Sequence, residues 1–362
     1  MDILTAKQTV IEAGHKLIES GLIARTWGNI SCRISDKQFV ITPSGRSYES
    51  LTPDDIVTVN IADCAYEGDI KPSSEKGIHA DCYRLRPEAQ FVIHTHQTNA
   101  SVLSVLGMDV LVNDVDAVAL MGAIVPCAAY GLPGTKKLRH GVSAALLKNP
   151  DSKAVIMAHH GALCVGRDFD DAFRIAGMLE KICEDKLTGA DNVAACTCKG
   201  AAGSSQRTEN GFDLLTAHTA DGTEDDVRET QIHRAIYNAR PDVNYIVHDT
   251  DNYAVQCAGG KKPLKPLLDD FAQLVGTNLR IAKDSDKDIG KKVKGRNAVL
   301  VNGKGAYCFA ATESDAKAVE MILNKGCKTS YEASLLGKPK VIGAVDALLM
   351  RFIYLKKYSK QI

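Results

Sequence analysis

The sequence predicts an α/β protein in which one module occurs twice. Residues 79–94 align with residues 233–248 without a gap, and the aligned blocks share a first His, a Tyr, an Arg-Pro pair and a last His. Farther along the chain, residues 154–164 align with residues 298–308. The chain has 362 residues, about twice the usual size of one domain. A duplicated module therefore explains the length better than a single domain does.

Each copy is predicted to mix helices and strands in the same order. The first aligned block is a helix that ends near Arg-Pro, followed by a β-branched and aromatic strand at 91–93 and 245–247. The second block is an apolar strand ending at a glycine, followed by a helix over 168–185 and 312–323. Apolar residues at helical spacing predict a last helix over 341–360.

The predicted organisation is two modules joined by a polar segment. The first module covers residues 1–190. Residues 191–225 are rich in small and polar side chains, which is typical of a linker or of peripheral loops. Residues 226–362 form the second module, which includes the last helix.

Composition excludes several functional classes. Lys plus Arg and Asp plus Glu each number 44, so the chain lacks the broad positive field that nucleic-acid binding needs. No stretch approaches the ~20 apolar residues of a membrane span, and the first residues do not resemble a secretory signal. Eleven cysteines without a paired framework predict reduced, buried thiols in a cytoplasmic protein. Cys196 and Cys198 are too close together for a typical structural zinc hairpin.

Histidines in the first copy have the spacing of a metal site. His94 and His96 lie at the end of the predicted strand, and residues two apart on a strand face the same side. A third histidine is available in the pair 159–160, at the end of another strand. Three neutral imidazoles leave zinc an open position for substrate, as in catalytic sites. Glu75 in the same module strengthens the prediction of a zinc enzyme over that of ordinary core histidines.

Six short motifs follow one another through the first copy: Thr26–Ser31, Ile41–Gly45, Lys71–Glu75, His94–His96, Ile124–Tyr130 and His159–Gly161. In this order they resemble the class II aldolase and adducin family, and the resemblance covers the whole first module. It implies an α/β/α module with a central, mainly antiparallel sheet covered by helices, present twice in this chain.

The resemblance also implies a site. His94, His96 and His160 are expected to hold one zinc ion per chain, Glu75 is expected to be the catalytic acid and base, and His159 receives no ligand role. Hydroxyl and backbone N–H donors suit a phosphate. The positions that match the family's phosphate-binding residues are Asn29, Ser44, Gly45, Ser73 and Ser74.

The implied activity is that of a metal-dependent aldehyde-lyase. It would cleave a small sugar phosphate, such as L-fuculose 1-phosphate, to dihydroxyacetone phosphate and an aldehyde through a metal-stabilised enediolate. The family's assembly into rings implies a homo-oligomer. Three alternatives stay open: a sugar-phosphate dehydratase, a 4-epimerase and a non-catalytic, adducin-like interaction protein. The family member that cleaves L-fuculose 1-phosphate also uses a tyrosine, contributed by a neighbouring subunit, from the segment before the Ile124–Tyr130 motif. Residues 112–120 of this chain contain no tyrosine, although Asp114 and Asp116 occur there.

The second copy is predicted to have kept the scaffold and lost the chemistry. It retains Glu229 and one histidine, His248, but has Thr250 and Lys304 where the other two ligands align. An ammonium group in place of a ligand disfavours a dication. The second copy would then either complete the first copy's site or serve only as a packing partner.

Overall fold

The computed structural model describes residues 1–23, 27–187, 203–215 and 224–358. The chain divides into two compact units, Met1–Leu187 with Lys356–Ile362, and Thr188–Leu355. Each unit has its own mixed sheet covered by helices, so the predicted α/β module, present twice, is confirmed.

The described residues of the first unit form nine strands, which are β1 Asn29–Arg33, β2 Gln38–Ile41, β3 Val57–Asn60, β4 Phe91–Thr95, β5 Val110–Leu111, β6 Ile124–Val125, β7 Cys127–Ala128, β8 Ala154–Met157 and β9 Gly161–Gly166. Seven of them form one sheet in the order β3-β2-β1-β4-β9-β8-β7, while β5 and β6 pair separately. Neighbours in the large sheet are antiparallel except for β7 and β8.

Helices cover both faces of this sheet. They are α1 Ile3–Glu19, α2 Lys76–Leu85, α3 Thr98–Ser104, α4 Val115–Met121, α5 Lys136–Lys148 and α6 Phe169–Asp185. Alternate residues of each strand point to opposite faces, so β4 contributes Phe91 and Ile93 to one apolar core and Val92 to the other. The first core includes residues of α1, α3 and α6, and the second includes residues of α2 and α5.

In the part that the structure describes, the second unit repeats this plan with six strands. They are β10 Ser204–Thr208, β11 Gly211–Leu214, β12 Tyr245–Asp249, β13 Ile281–Ala282, β14 Ala298–Val301 and β15 Gly305–Ala310, in the spatial order β11-β10-β12-β15-β14-β13. The helices are α7 Glu224–Ala239, α8 Asn252–Ala258, α9 Asp269–Leu274, α10 Asp286–Lys292, α11 Glu313–Leu336 and α12 Ala344–Ile353.

The linker predicted over 191–225 needs a correction. Residues 204–214 form the β10–β11 hairpin at the edge of the second sheet, where β10 pairs with β12. The polar strand β10 lies between β11 and β12, and its buried Ser205 uses its hydroxyl in hydrogen bonds. Residues 191–202 and 216–223, with Cys196 and Cys198, lie outside the described residues.

Three predicted features of the chain have clear outcomes. Helix α6 matches its predicted span, whereas α11 continues to Leu336, and α12 is followed by a π-helical turn at Tyr354–Tyr358. Most cysteines in the described ranges are buried, as predicted. Among the helices that the structure describes, none combines the length and apolar character required to cross a membrane.

Candidate active site

Three imidazoles meet at one end of the central strands of the first sheet. His94 lies in β4 and His96 directly after it, while His160 lies in the turn that joins β8 to β9. Because β4 pairs with β9, this turn is adjacent to the end of β4. One ring nitrogen of each histidine lies within 4.8 Å of the others. A donor set of three imidazoles fits a zinc ion with an open position.

The turn between β8 and β9 depends on an unusual backbone conformation. His159 has φ of 66°, in the left-handed region that non-glycine residues rarely adopt. The corresponding turn of the second unit has Gly303 with φ of 77°. The His159 ring packs edge-on against Tyr130 at 5.3 Å between centroids. His159 therefore shapes the turn that directs His160 into the cluster.

Gly161, the first residue of β9, has no space for a side chain. A Cβ atom there would lie 2.1 Å from the Thr95 carbonyl oxygen and 3.3 Å from His94 Nε2. We expect Gly161→Ala to destabilise the protein by about 2–4 kcal/mol and displace His94. His159→Gly, which restores the residue found in the second unit, should change stability by less than about 1 kcal/mol. Thermal unfolding of both variants tests this, and equal losses would contradict it.

Glu75 places a carboxylate against the histidine cluster. It occupies the position before the first residue of α2 and is only 5% exposed. Its Oε2 lies 2.7 Å from His94 Nδ1, and its Oε1 lies 3.1 Å from His160 Nε2. Burial raises the pKa of Glu75, but charge interactions and hydrogen bonds with His94 and His160 outweigh it, so the pKa lies well below its ordinary value.

Two loops bring the predicted phosphate-binding residues together. The Ser44 amide donates to the Lys71 carbonyl at 2.9 Å, and the Ser73 amide donates to the Thr42 carbonyl at 3.0 Å. Ser44 and Gly45 therefore lie beside the segment that carries Ser73. The Ser73 hydroxyl accepts a hydrogen bond from the Glu75 amide at 3.2 Å.

Ser74, the next residue of that segment, is exposed. Asn29 differs from the four loop residues, because its side-chain amide faces Glu75 and the histidine cluster. Its Nδ2 lies 2.9 Å from Glu75 Oε2 and 3.1 Å from His94 Nδ1.

The two aspartates noted before α4 act at the start of that helix. The Asp114 side chain accepts a hydrogen bond from the Ala117 amide at 2.8 Å, and Asp116 lies in the first turn. Both positions are exposed and suit the positive end of the helix dipole. Thr26, which begins the first motif, lies outside the described residues.

His79 has no function predicted from the sequence, although it belongs to the first aligned block. It is fully buried, its Nε2 contacts Asn29 Oδ1, and its Nδ1 lies 2.6 Å from Ser31 Oγ. Burial and the nearby His94 lower the pKa of His79 to about 3, so its ring is neutral. The pairing of His79 with His233 in the repeat was the available signal.

A comparison with known families decides the assignment. The family model described as Class II Aldolase and Adducin N-terminal domain matches residues 8–187 and again residues 211–331. The chain belongs to the class II aldolase and adducin family. The tandem match agrees with the duplicated modules, and the prediction of an aldehyde-lyase is confirmed at the level of the family.

Curated class II aldolases are similar to about half of this chain. The 5-deoxy-D-ribulose 1-phosphate aldolase of Bacillus thuringiensis serovar kurstaki is 33% identical over 48% of this chain and 80% of its own. The 5-methylthioribulose-1-phosphate/5-deoxyribulose-1-phosphate aldolase of Escherichia coli is 33% identical over 51% of this chain and 84% of its own. A solved structure of an L-fuculose 1-phosphate aldolase is 32% identical over 50% of this chain and 84% of its own, with a TM-score of 0.47.

In the second class II aldolase unit, other side chains occupy the position that corresponds to the histidine cluster. Tyr307 donates its hydroxyl proton to Glu229 at 2.6 Å, and its ring stacks on His248 at 4.2 Å. His248 Nε2 donates to the Lys304 carbonyl at 2.7 Å, and Lys304 Nζ pairs with Asp225. Within the described part of this unit, no three ligand atoms lie close enough to hold a metal ion.

Glu229 should stabilise the second class II aldolase unit in a pH-dependent way. Burial raises its pKa, but hydrogen bonds with His233 and His248 outweigh that effect and lower the pKa to about 2. A depressed pKa gives stability that is present above the unfolded pKa and is lost as pH falls towards the folded one. We expect Glu229→Gln to cost about 1–3 kcal/mol at pH 7.

The stability difference between wild type and Glu229→Gln should shrink between the ordinary carboxyl pKa and pH 2. Denaturant unfolding at pH 7 and at pH 2.5 measures it, because the other carboxylates are common to both proteins and cancel in the difference. A difference that stays constant over this range would contradict the charged, hydrogen-bonded state of Glu229.

Proposed function

We propose that the first unit is a zinc-dependent aldolase that cleaves a small ketose 1-phosphate to dihydroxyacetone phosphate and an aldehyde. The single observation that carries the proposal is the convergence of His94, His96 and His160 on one point beside the buried carboxylate of Glu75. The curated relatives named above are aldolases of sugar 1-phosphates, which supports this substrate class.

His94, His96 and His160 would hold the metal ion, and their three nitrogen donors match the preference of zinc. When bound, the metal supplies a Lewis acid for the carbonyl and neighbouring hydroxyl oxygens of the substrate. We expect one zinc ion per chain, because the second unit has Thr250 and Lys304 at two of the three aligned positions.

Glu75 is proposed as the proton carrier. Breaking the bond between C3 and C4 of the ketose removes a proton from the C4 hydroxyl and leaves an electron pair at C3, which must receive a proton. The Glu75 carboxylate is buried beside the metal ligands, where a proton transfer is shielded from bulk water. Its hydrogen bond from Asn29 fixes its orientation.

The loops at 44–45 and 73–74 are proposed to bind the substrate phosphate. Their backbone N–H and hydroxyl groups are the donors that a phosphate needs. They lie next to Glu75, since Ser73 is hydrogen-bonded to the Glu75 amide. A phosphate held there would bring the sugar carbons towards the carboxylate. The cytoplasmic location and the homo-oligomeric state stay predictions.

The proposal is tested by supplying the zinc-loaded full chain with L-fuculose 1-phosphate, 5-deoxyribulose 1-phosphate and 5-methylthioribulose 1-phosphate. Dihydroxyacetone phosphate is measured by its enzymatic reduction, and sugar products by mass spectrometry. Release of dihydroxyacetone phosphate from at least one substrate is expected. Loss of water without cleavage would indicate a dehydratase instead of an aldolase. Interconversion of sugar phosphates without release of dihydroxyacetone phosphate would indicate an epimerase. No reaction with any of them would contradict the proposal.

A further inference from the structure

A chain of buried hydrogen bonds in the first unit leads from the core to Glu75. The Tyr83 hydroxyl lies 2.7 Å from Ser31 Oγ, which lies 2.6 Å from His79 Nδ1. On the other side of the ring, His79 Nε2 contacts Asn29 Oδ1. The Asn29 Nδ2 group then reaches Glu75 at 2.9 Å. All five side chains are at least nine-tenths buried, so their donors and acceptors pair with other protein groups rather than with bulk water.

The second unit contains the same chain of hydrogen bonds with one side chain fewer. Ser205 Oγ lies 2.9 Å from the Tyr237 hydroxyl and 2.6 Å from His233 Nδ1. His233 Nε2 then contacts Glu229 Oε1 directly, at 2.9 Å. The tyrosine, serine and histidine are thus common to both units, and the difference lies between the histidine and the carboxylate.

The two units differ at one position, at the start of the strand that carries the serine of each hydrogen-bond chain. In the first unit, Asn29 lies opposite His94 in the β1–β4 pairing. In the second unit the His248 amide donates to the carbonyl of Gly203, which occupies the matching place. Glycine has no side chain, so His233 meets the carboxylate without an intermediate. Only the unit with the three imidazoles has an amide inserted at this point.

The direction of each hydrogen bond can be assigned from the chemistry of its members. A carboxylate only accepts, so Asn29 presents its NH₂ group to Glu75, and its Oδ1 therefore faces His79. An amide oxygen also only accepts, so His79 carries its proton on Nε2. The Nδ1 of a neutral ring then accepts from the Ser31 hydroxyl.

We propose that His79 is a positioning residue for the aldolase reaction, because it fixes the Asn29 amide in the one orientation that donates to Glu75. This inference rests on the function proposed above. If the amide turned over, its oxygen would face the carboxylate, an arrangement without a shared proton and with like partial charges. Ser31 supports the same orientation by keeping the His79 proton on Nε2.

The repeat supplies matched controls for this inference. His79→Ala is compared with His233→Ala, and Ser31→Ala with Ser205→Ala, since each pair removes the same group from equivalent buried chains. We expect the first-unit variants to lower kcat for dihydroxyacetone phosphate release by about 10–100-fold with little change in KM, as supporting partners of metal sites do. The second-unit variants should lose similar stability and keep kcat. His79→Gln should recover part of kcat, because its amide can donate to Asn29.

A double substitution tests whether His79 acts through Asn29. In an Asn29→Ala background, His79→Ala should cause no further loss of kcat, since the amide that it orients is absent. An undiminished loss in that background would overturn the inference. Equal kcat losses in His79→Ala and His233→Ala would also overturn it, because they would indicate general destabilisation. Should His79→Ala fail to fold, Ser31→Ala and His79→Gln carry the same comparison.

A readout without catalysis separates this inference from the proposed function. Zinc affinity, measured by competition with a chelating dye, should fall about 10-fold or more in His79→Ala and stay unchanged in His233→Ala, because Asn29 also contacts His94. This result together with a wild type that releases no dihydroxyacetone phosphate would refute the aldolase and keep the positioning role. An active wild type with unchanged zinc affinity and kcat in His79→Ala would refute the positioning role alone.

Discussion

Replacing Glu75 by glutamine is expected to lower kcat for sugar-phosphate cleavage by about 10²–10⁴-fold, the range typical of a lost general acid or base. Glutamine has the size of glutamate, and its oxygen can still accept from Asn29. It carries no exchangeable carboxyl proton, so C3 of the cleaved substrate would lose its proton donor. The kcat of dihydroxyacetone phosphate release measures the effect, and bound zinc is measured in the same samples.

The second unit provides the control for the Glu75 variant. Glu229 aligns with Glu75 and also contacts a buried histidine. Glu229→Gln should destabilise the protein yet keep kcat within about threefold, because the second unit has no proposed role in proton transfer. If Glu75→Gln kept more than a tenth of wild-type kcat with zinc bound, the assignment of Glu75 as proton carrier would be wrong.

Removing one imidazole is the second change with a large expected effect. His160→Ala leaves two nitrogen donors, His94 and His96, which come from one strand end. We expect zinc affinity to fall by more than about 100-fold, since even the loss of a supporting partner costs 10–100-fold. Cleavage should fall with zinc occupancy. Equilibrium dialysis against buffered zinc measures the first effect, and kcat/KM at the same buffered zinc concentrations measures the second.

Lys304 is the matched position in the turn of the second unit. Lys304→Ala removes its salt bridge with Asp225, which is partly exposed and is worth about 0–1 kcal/mol. Zinc affinity and cleavage should stay at wild-type values in this variant. If His160→Ala bound zinc as tightly as the wild type, the assignment of His160 as a zinc ligand would be wrong.

Local patterns predicted the parts of the site that lie on one element. His94 and His96 follow the two-residue period of a strand, so their shared side could be predicted from spacing alone. His160 comes from a distant turn, and only the resemblance assigned it. The contacts of Asn29 depend on the register between β1 and β4, which no local pattern contains.

The errors in the fold prediction have similar causes. The polar sequence of 204–208 hides a strand that pairs on both sides, with β11 and with β12, and its assignment to a linker also hid Ser205, the partner of His233. Helix α11 extends beyond its predicted end through Gly326, a residue that suggests a helix end. That glycine lies inside the helix because a Cβ there would be 2.2 Å from the Phe271 ring. Tertiary packing, rather than helix propensity, selects it.

The zinc content of the purified full chain is the most direct test of the proposed metal centre. The protein is saturated with zinc, freed of excess metal by gel filtration and analysed by plasma mass spectrometry against its amino-acid content. One zinc ion per chain is predicted, with the ion lost in His160→Ala and retained in Lys304→Ala. Two ions per chain would contradict the loss of the site from the second unit, and none would contradict the metal-dependent aldolase itself.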